Sequence, residues 1–195
     1  MNIEDICFDD FMSYDSKLRK KIINDPELLK IMIRKNLKKS RYDHSLSVAD
    51  MAKDLAKIHH ADPYKAYIAG LLHDCTKYLS NDEHDSYFRF FDPDKIDYPE
   101  PIKHSFSAKY YLKEKLNFHD KDILNAIYNH TICNSRDKLS MIIYIADKRE
   151  PLRNIDDDIA ELAKKDLYKA FEELSKDVER YIKETGNERF IENSL

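Results

Sequence analysis

The chain has 195 residues, with 33 Lys and Arg against 37 Asp and Glu, a formal charge of −4 and a mean hydropathy of −0.70. It is sized for one soluble domain and lacks the net positive charge that drives sequence-independent nucleic-acid binding. Its 2 glycines, Gly70 and Gly186, are too few and too far apart for a Gly-rich dinucleotide loop or a P-loop, and too few for the turns of an all-β sandwich or barrel.

The 3 cysteines, Cys7, Cys75 and Cys133, form no Cys-x-x-Cys and support neither a disulfide framework nor a thiolate zinc site. Reduced thiols and a cytoplasmic location are the expectation. Met1 to Asp10 is acidic and lacks the basic end and apolar stretch of a signal peptide. The longest apolar run, Met141 to Ala146, falls far short of the roughly 20 residues of a spanning helix.

In chain order, a short helix is expected near Ser16 to Ile23. Ile22 to Leu37 reads as the first clear helix, with Asp25 as N-cap and Pro26 at the first helical position. Ser40 caps a long helix to about His59, whose apolar positions from Leu46 to Ile58 keep roughly helical spacing. Asp62-Pro63 is another cap-plus-proline start, leading into a helix from Tyr64 to His73. Asn81 to Phe91 reads as an aromatic helix, and the proline-rich stretch Asp92 to Pro101 as a loop. Helices follow at Ile102 to Leu116, Asp120 to Asn129, Ser135 to Lys148 and Asp156 to Glu184. With no internal repeat and no linker long enough to divide it, the chain reads as one all-α domain.

Ionisable groups collect at the ends of the most apolar of these helices. His44 lies early in the long helix, in Arg41-Tyr42-Asp43-His44-Ser45. His73-Asp74 closes Ala69-Gly70-Leu71-Leu72. His104 follows the proline loop, His130 ends Ala126-Ile127-Tyr128-Asn129, and Asp147 follows Met141 to Ala146. An ionised group beside apolar surface is costly unless paired or metal-bound. Imidazole with carboxylate suits Zn, Fe, Mn and similar divalent ions. Taken singly, a histidine at a helix end more often caps it or meets solvent, and Asp147 can pair with Lys148 or Arg149. The adjacent His73-Asp74 pair is hardest to read that way. His59, His60, His84 and His119 read as solvated.

The order His44, His73-Asp74, Asp147 resembles the HD-domain phosphohydrolase superfamily. The local strings agree: Arg41-x-x-His44-Ser45, Gly70-Leu71-Leu72-His73-Asp74-x-x-Lys77 and Tyr144-x-Ala146-Asp147. Within it, His104, His130-Thr131 and Glu150-Pro151-x-Arg153 make the chain look like the bacterial YqeK-like family of symmetrical diadenosine-tetraphosphate hydrolases. The resemblance runs from about Arg41 to the C-terminus. It implies an all-α, single HD-domain helical bundle at residues 39–195, preceded by an N-terminal helical extension, residues 1–38, of unassigned role. After His130-Thr131 the chain has Ile132-Cys133 where a threonine and a glycine are expected.

By position, the resemblance assigns a first metal to His44, His73, Asp74 and Asp147, with Asp74 bridging to a second held by His104 and His130. It points to two divalent or mixed-valence ions, iron first and manganese as the alternative. A metal-bridging water would cleave diadenosine tetraphosphate symmetrically to two ADP, or the guanosine analogue to GDP. Asp74 and Lys77 are the expected catalytic residues. Arg41, His44, Lys77, His104, His130, Thr131, Asp147 and Arg153 are the expected contacts to substrate. Lys77 falls one helical turn beyond His73 if that helix continues, and Arg41 shares a face with His44. Tyr110-Tyr111 and Phe190-Ile191 are available for a base slot, although a tyrosine stripe is more often core. No nucleic-acid or membrane partner is expected, and homodimerisation stays open. The alternatives are another HD-type nucleotide phosphatase or phosphodiesterase, or a nonenzymatic nucleotide- and metal-binding module.

Overall fold

Side-chain caps set most of the helix starts. The computed structural model describes residues 6–155 and 158–184, and no strand occurs among them. Asp15 caps α1 (Ser16–Asn24), Asp25 caps α2 (Pro26–Asn36), and Asp62 caps α4 (Pro63–Leu72) through the N–H groups of Tyr64 and Lys65. Ser80 and Glu83 form a reciprocal capping box at α5 (Asn81–Phe91). Asp120 and Asp137 cap α7 (Lys121–Tyr128) and α8 (Lys138–Arg149). The remaining helices are α3 (Lys39–Ile58), α6 (Glu100–Leu116), α9 (Ile159–Lys165) and α10 (Leu167–Glu184).

Several boundaries differ from the sequence reading. The short helix expected near Ser16 to Ile23 is α1, and it takes Ile22 and Ile23 from the next: α2 starts at Pro26 rather than Ile22, because Asp25 is extended at φ −119°, ψ 106°, as the residue before a proline prefers. Ser40 is not a cap: α3 starts at Lys39, after an extended Lys38 that makes no capping bond. The proline loop contains a single 3-10 turn, Pro93–Lys95, and α6 begins inside it at Glu100. Ser135 lies outside α8, because Asp137 takes the cap. The long terminal helix breaks at Asp166, φ −148°, ψ 98°; its expected start at Asp156 lies outside the described residues.

α3 and α4 pack closely, and Gly70 permits it. A Cβ placed there would stand 2.5 Å from the Ala49 Cα and 2.8 Å from the Ala49 N, closer than real contacts allow. The buried core joins α3, α4, α7 and α8 through Val48, Ala52, Ile68, Leu71, Ile127 and Ile143. Ile6, Phe8 and Phe11 belong to the same core, and Phe8 meets the Tyr111 ring at 5.6 Å. No helix among the described residues is long and apolar enough to cross a membrane.

Candidate metal centre

Two helix pairs deliver four histidines to one buried point. His44 lies in the second turn of α3, and His73 directly follows α4. His104 lies in the second turn of α6, and His130 follows α7. Asp74 comes next to His73, and Asp147 sits in the last turn of α8. The four histidines and Asp74 are buried.

Asp74 faces both pairs. Its Oδ2 lies 3.3 Å from His73 Nε2 and 3.8 Å from His44 Nε2, and its Oδ1 lies 3.1 Å from His104 Nε2 and 3.8 Å from His130 Nε2. Asp147 Oδ1 stands 3.2 Å from His44 Nε2 and 3.7 Å from His73 Nε2. Single ligand atoms of His44, His73 and Asp147 all fall within 4.8 Å of one another, as do those of His73, Asp74 and His130. The six side chains expected from the sequence to be metal ligands therefore lie together.

The far nitrogens fix which atoms face inward. His73 Nδ1 donates to the Gly70 carbonyl at 2.7 Å, and His130 Nδ1 to the Ile127 carbonyl at 2.6 Å. A carbonyl only accepts, so each ring keeps a proton on Nδ1 and turns Nε2 inward. His44 does the same through Glu150, Nδ1 to Oε1 at 3.0 Å. Imidazole Nε2 atoms thus face carboxylate oxygens, a donor set that suits a divalent cation. Burial opposes charging of His73, but Asp74 raises its pKa above the usual histidine value. Buried His73 Nε2 and Asp74 Oδ1 have no hydrogen-bond partner, which fits the demand of a metal.

Charge agrees with geometry. Burial opposes ionisation of Asp74, but His73 and His104 hold its carboxyl well below the usual range. Burial likewise opposes ionisation of Asp147, and Lys148 and His44 overcome it. Burial, reinforced by His73 and His104, keeps His130 neutral. Both carboxylates are anionic and His130 is unprotonated, the forms that bind metal.

Cations surround the centre. Arg41 donates to Asp74 Oδ2 at 2.8 Å, and Arg153 to Asp147 Oδ1 at 3.1 Å. Lys77 arrives by a different path from the one expected. α4 stops at Leu72, and residues 73–79 continue as i to i+3 turns, with the Lys77 N–H on the Asp74 carbonyl. Its Nζ lies 3.2 Å from Nδ1 and 3.3 Å from Nε2 of His104. Thr131 is half-buried beside His130, and Ile132 is buried.

Sequence reasoning missed two residues here. Lys148 spans from the His130 carbonyl, at 2.7 Å, to Asp147 Oδ2, at 3.4 Å, so the simple Asp147–Lys148 pair exists but uses the other carboxylate oxygen. Glu150 supports His44; the Glu-Pro-x-Arg string marked its position but not its role. One reading is corrected: His84 is buried, not solvated, and its Nδ1 pairs with Ser107 Oγ at 2.8 Å. His59 is half-buried, with its Nε2 on the Ala163 carbonyl, while His60 and His119 are exposed. Tyr111 is core, and Tyr110 stacks on the exposed Phe91. Phe190 and Ile191 lie outside the described residues.

The HD domain family matches residues 41–152 of the chain. A symmetrical bis(5'-nucleosyl)-tetraphosphatase of Halalkalibacterium halodurans is 33% identical over 127 residues, covering 63% of this chain and 67% of that protein. A probable nicotinate-nucleotide adenylyltransferase/Ap4A hydrolase of Mycoplasma genitalium is 35% identical over 154 residues. That match takes in 74% of this chain but 44% of the relative, so the chain spans less than half of that protein's length. A crystal structure from Clostridium acetobutylicum, described as a predicted HD superfamily hydrolase involved in NAD metabolism, superposes with a TM-score of 0.76 at 31% identity, covering 83% of this chain and 89% of that one. The HD-domain match spans more than half of the chain, and relatives and a solved structure of that family share about a third of its residues: the chain belongs to the HD-domain family.

Proposed function

We propose that the chain is a metal-dependent hydrolase that cleaves a symmetrical dinucleoside tetraphosphate, diadenosine tetraphosphate above all, into two nucleoside diphosphates. The observation that carries this reading is the bridging placement of Asp74, one oxygen toward His44 and His73 and the other toward His104 and His130. A one-metal nucleotidase has no use for the second pair. The relatives named for this reaction support the substrate class.

His44, His73, Asp74 and Asp147 would hold one divalent ion, and Asp74, His104 and His130 a second, with iron favoured over manganese. Ions bound there supply Lewis acidity, for activating water and for offsetting charge on phosphate oxygens. The chain's own residues then orient the phosphates. Arg41 and Arg153, at the two carboxylates, present planar forks suited to phosphate oxygens. Lys77 adds a point charge beside His104. Burial lowers its ammonium pKa, and Asp74 counters that effect. Three cations allow an acidic chain to accept a polyphosphate. The free thiols of Cys7, Cys75 and Cys133 suit a reducing compartment such as the cytoplasm.

The test is chromatography of products after metal-loaded protein meets diadenosine tetraphosphate, with and without chelator. Two ADP per substrate, lost on chelation, is the expected result. ATP plus AMP would place a different phosphorus at the centre. No turnover with any divalent ion would favour another nucleotide substrate or a binding module.

A further inference from the structure

Glu150 is a buried ionisable group beside the centre, and its contacts go beyond His44. It follows the last residue of α8, and only 2% of its surface is exposed. Its two oxygens point to different parts of the centre. Oε1 takes the Nδ1 proton of His44 at 3.0 Å, across 106 positions of sequence. Oε2 takes the Leu152 N–H at 2.7 Å and so caps the 3-10 turn Pro151–Arg153. That turn delivers Arg153, whose Nε reaches the Asp147 carbonyl and whose outer nitrogen reaches Asp147 Oδ1 at 3.1 Å.

We infer that Glu150 is a positioning residue of the metal centre: through Oε1 it fixes the ring and tautomer of His44, and through Oε2 it fixes the turn that carries Arg153. The inference rests on the metal centre proposed above. Its physical basis is general. A carboxylate accepts and cannot donate, so it commits the His44 proton to Nδ1 and leaves Nε2 free to ligate. A negative partner on the far nitrogen also makes the imidazole a stronger donor to a cation. His44 needs such a partner from outside its own helix, because the carbonyl three residues before it lies inside the α3 ladder. Pro151 then ends α8 just past Glu150 and starts the turn.

The test uses the full chain, stripped of metal by chelation and titrated with cobalt(II). Visible absorption reports the ligand field, and equilibrium dialysis reports stoichiometry. Thermal melting of the metal-free protein is followed in parallel. Wild type is expected to bind two ions. Glu150→Ala should weaken one of them by about 10–100-fold, the usual effect of removing a ligand's outer partner, and leave the other near its wild-type affinity. Glu150→Gln keeps the shape and one acceptor but loses the charge. It should fall between wild type and Ala at that same site, and it serves alone if Ala does not fold. Wild-type affinity at both sites in Glu150→Gln would overturn the inference. So would a loss shared equally by both sites that merely tracks a lower melting temperature. If wild type itself binds no cobalt, the metal centre falls and this inference with it.

Discussion

The two halves of the centre are built alike and supported differently. Each takes one histidine from the second turn of a helix, His44 or His104, and one from just past the end of the next, His73 or His130. The end histidines supply their own support: carbonyls in a last helical turn lack helical partners, so Nδ1 donates to Gly70 or Ile127 three residues back. The mid-helix histidines cannot do this. His44 borrows the carboxylate of Glu150, whereas His104 has the ammonium of Lys77 at 3.2 Å. An ammonium has only donors and cannot hold a proton on Nδ1. The His44 half therefore has a proton acceptor on its far nitrogen, and the His104 half has a cation there instead. The His44–His73–Asp147 side should fill first as metal is added.

The largest expected effect removes what the halves share. Asp74→Asn should lower hydrolysis by about 10²–10³-fold, the scale of losing a transition-state electrostatic stabiliser, and cost the second metal while circular dichroism stays helical. Full activity with normal metal content would reject the bridge. Prying apart the two helices of the first half comes next. Gly70→Ala would ordinarily gain helix stability, but against Ala49 it should cost about 1–3 kcal/mol of overpacking, read by urea denaturation, and should loosen metal on the His73 side.

Lys77→Met sharpens the contrast between the supports. It should raise KM for the tetraphosphate by about 10-fold or more, as expected for a lost hydrogen bond to a charged group, without weakening cobalt binding. Arg153→Ala should do likewise. Falling metal content in either variant would reassign that side chain to the centre.

The smallest effect concerns a histidine outside both halves. Burial lowers the His84 pKa from 6.5 to about 4. Between those values the unfolded chain binds a proton that the folded chain refuses. Stability is thus expected to fall as pH drops through that window, by no more than about 3 kcal/mol. His84→Gln should flatten the slope of unfolding free energy against pH there; an unchanged slope would exclude His84 as its source.

Legibility in the sequence followed the range of each interaction. Cap-plus-proline signals placed α2 and α4, and the adjacent His73-Asp74 pair announced the centre, because both are local. Asp25 and Asp166 broke helices that periodicity alone continued: apolar spacing carries on through a single extended residue. The support of His44 by Glu150 spans 106 positions and depends on how α8 meets α3, so no local pattern encoded it. His84 looked solvated beside Glu83 and Asp85, and only the packing of α5 on α6 buries it.

The most direct test of the account is a crystal structure of manganese- or iron-loaded protein with anomalous scattering. Two peaks about 3.5–4 Å apart are expected, one among His44, His73, Asp74 and Asp147 and one among Asp74, His104 and His130, with Asp74 touching both. A single peak in a fully active protein, or two peaks that Asp74 does not join, would contradict it.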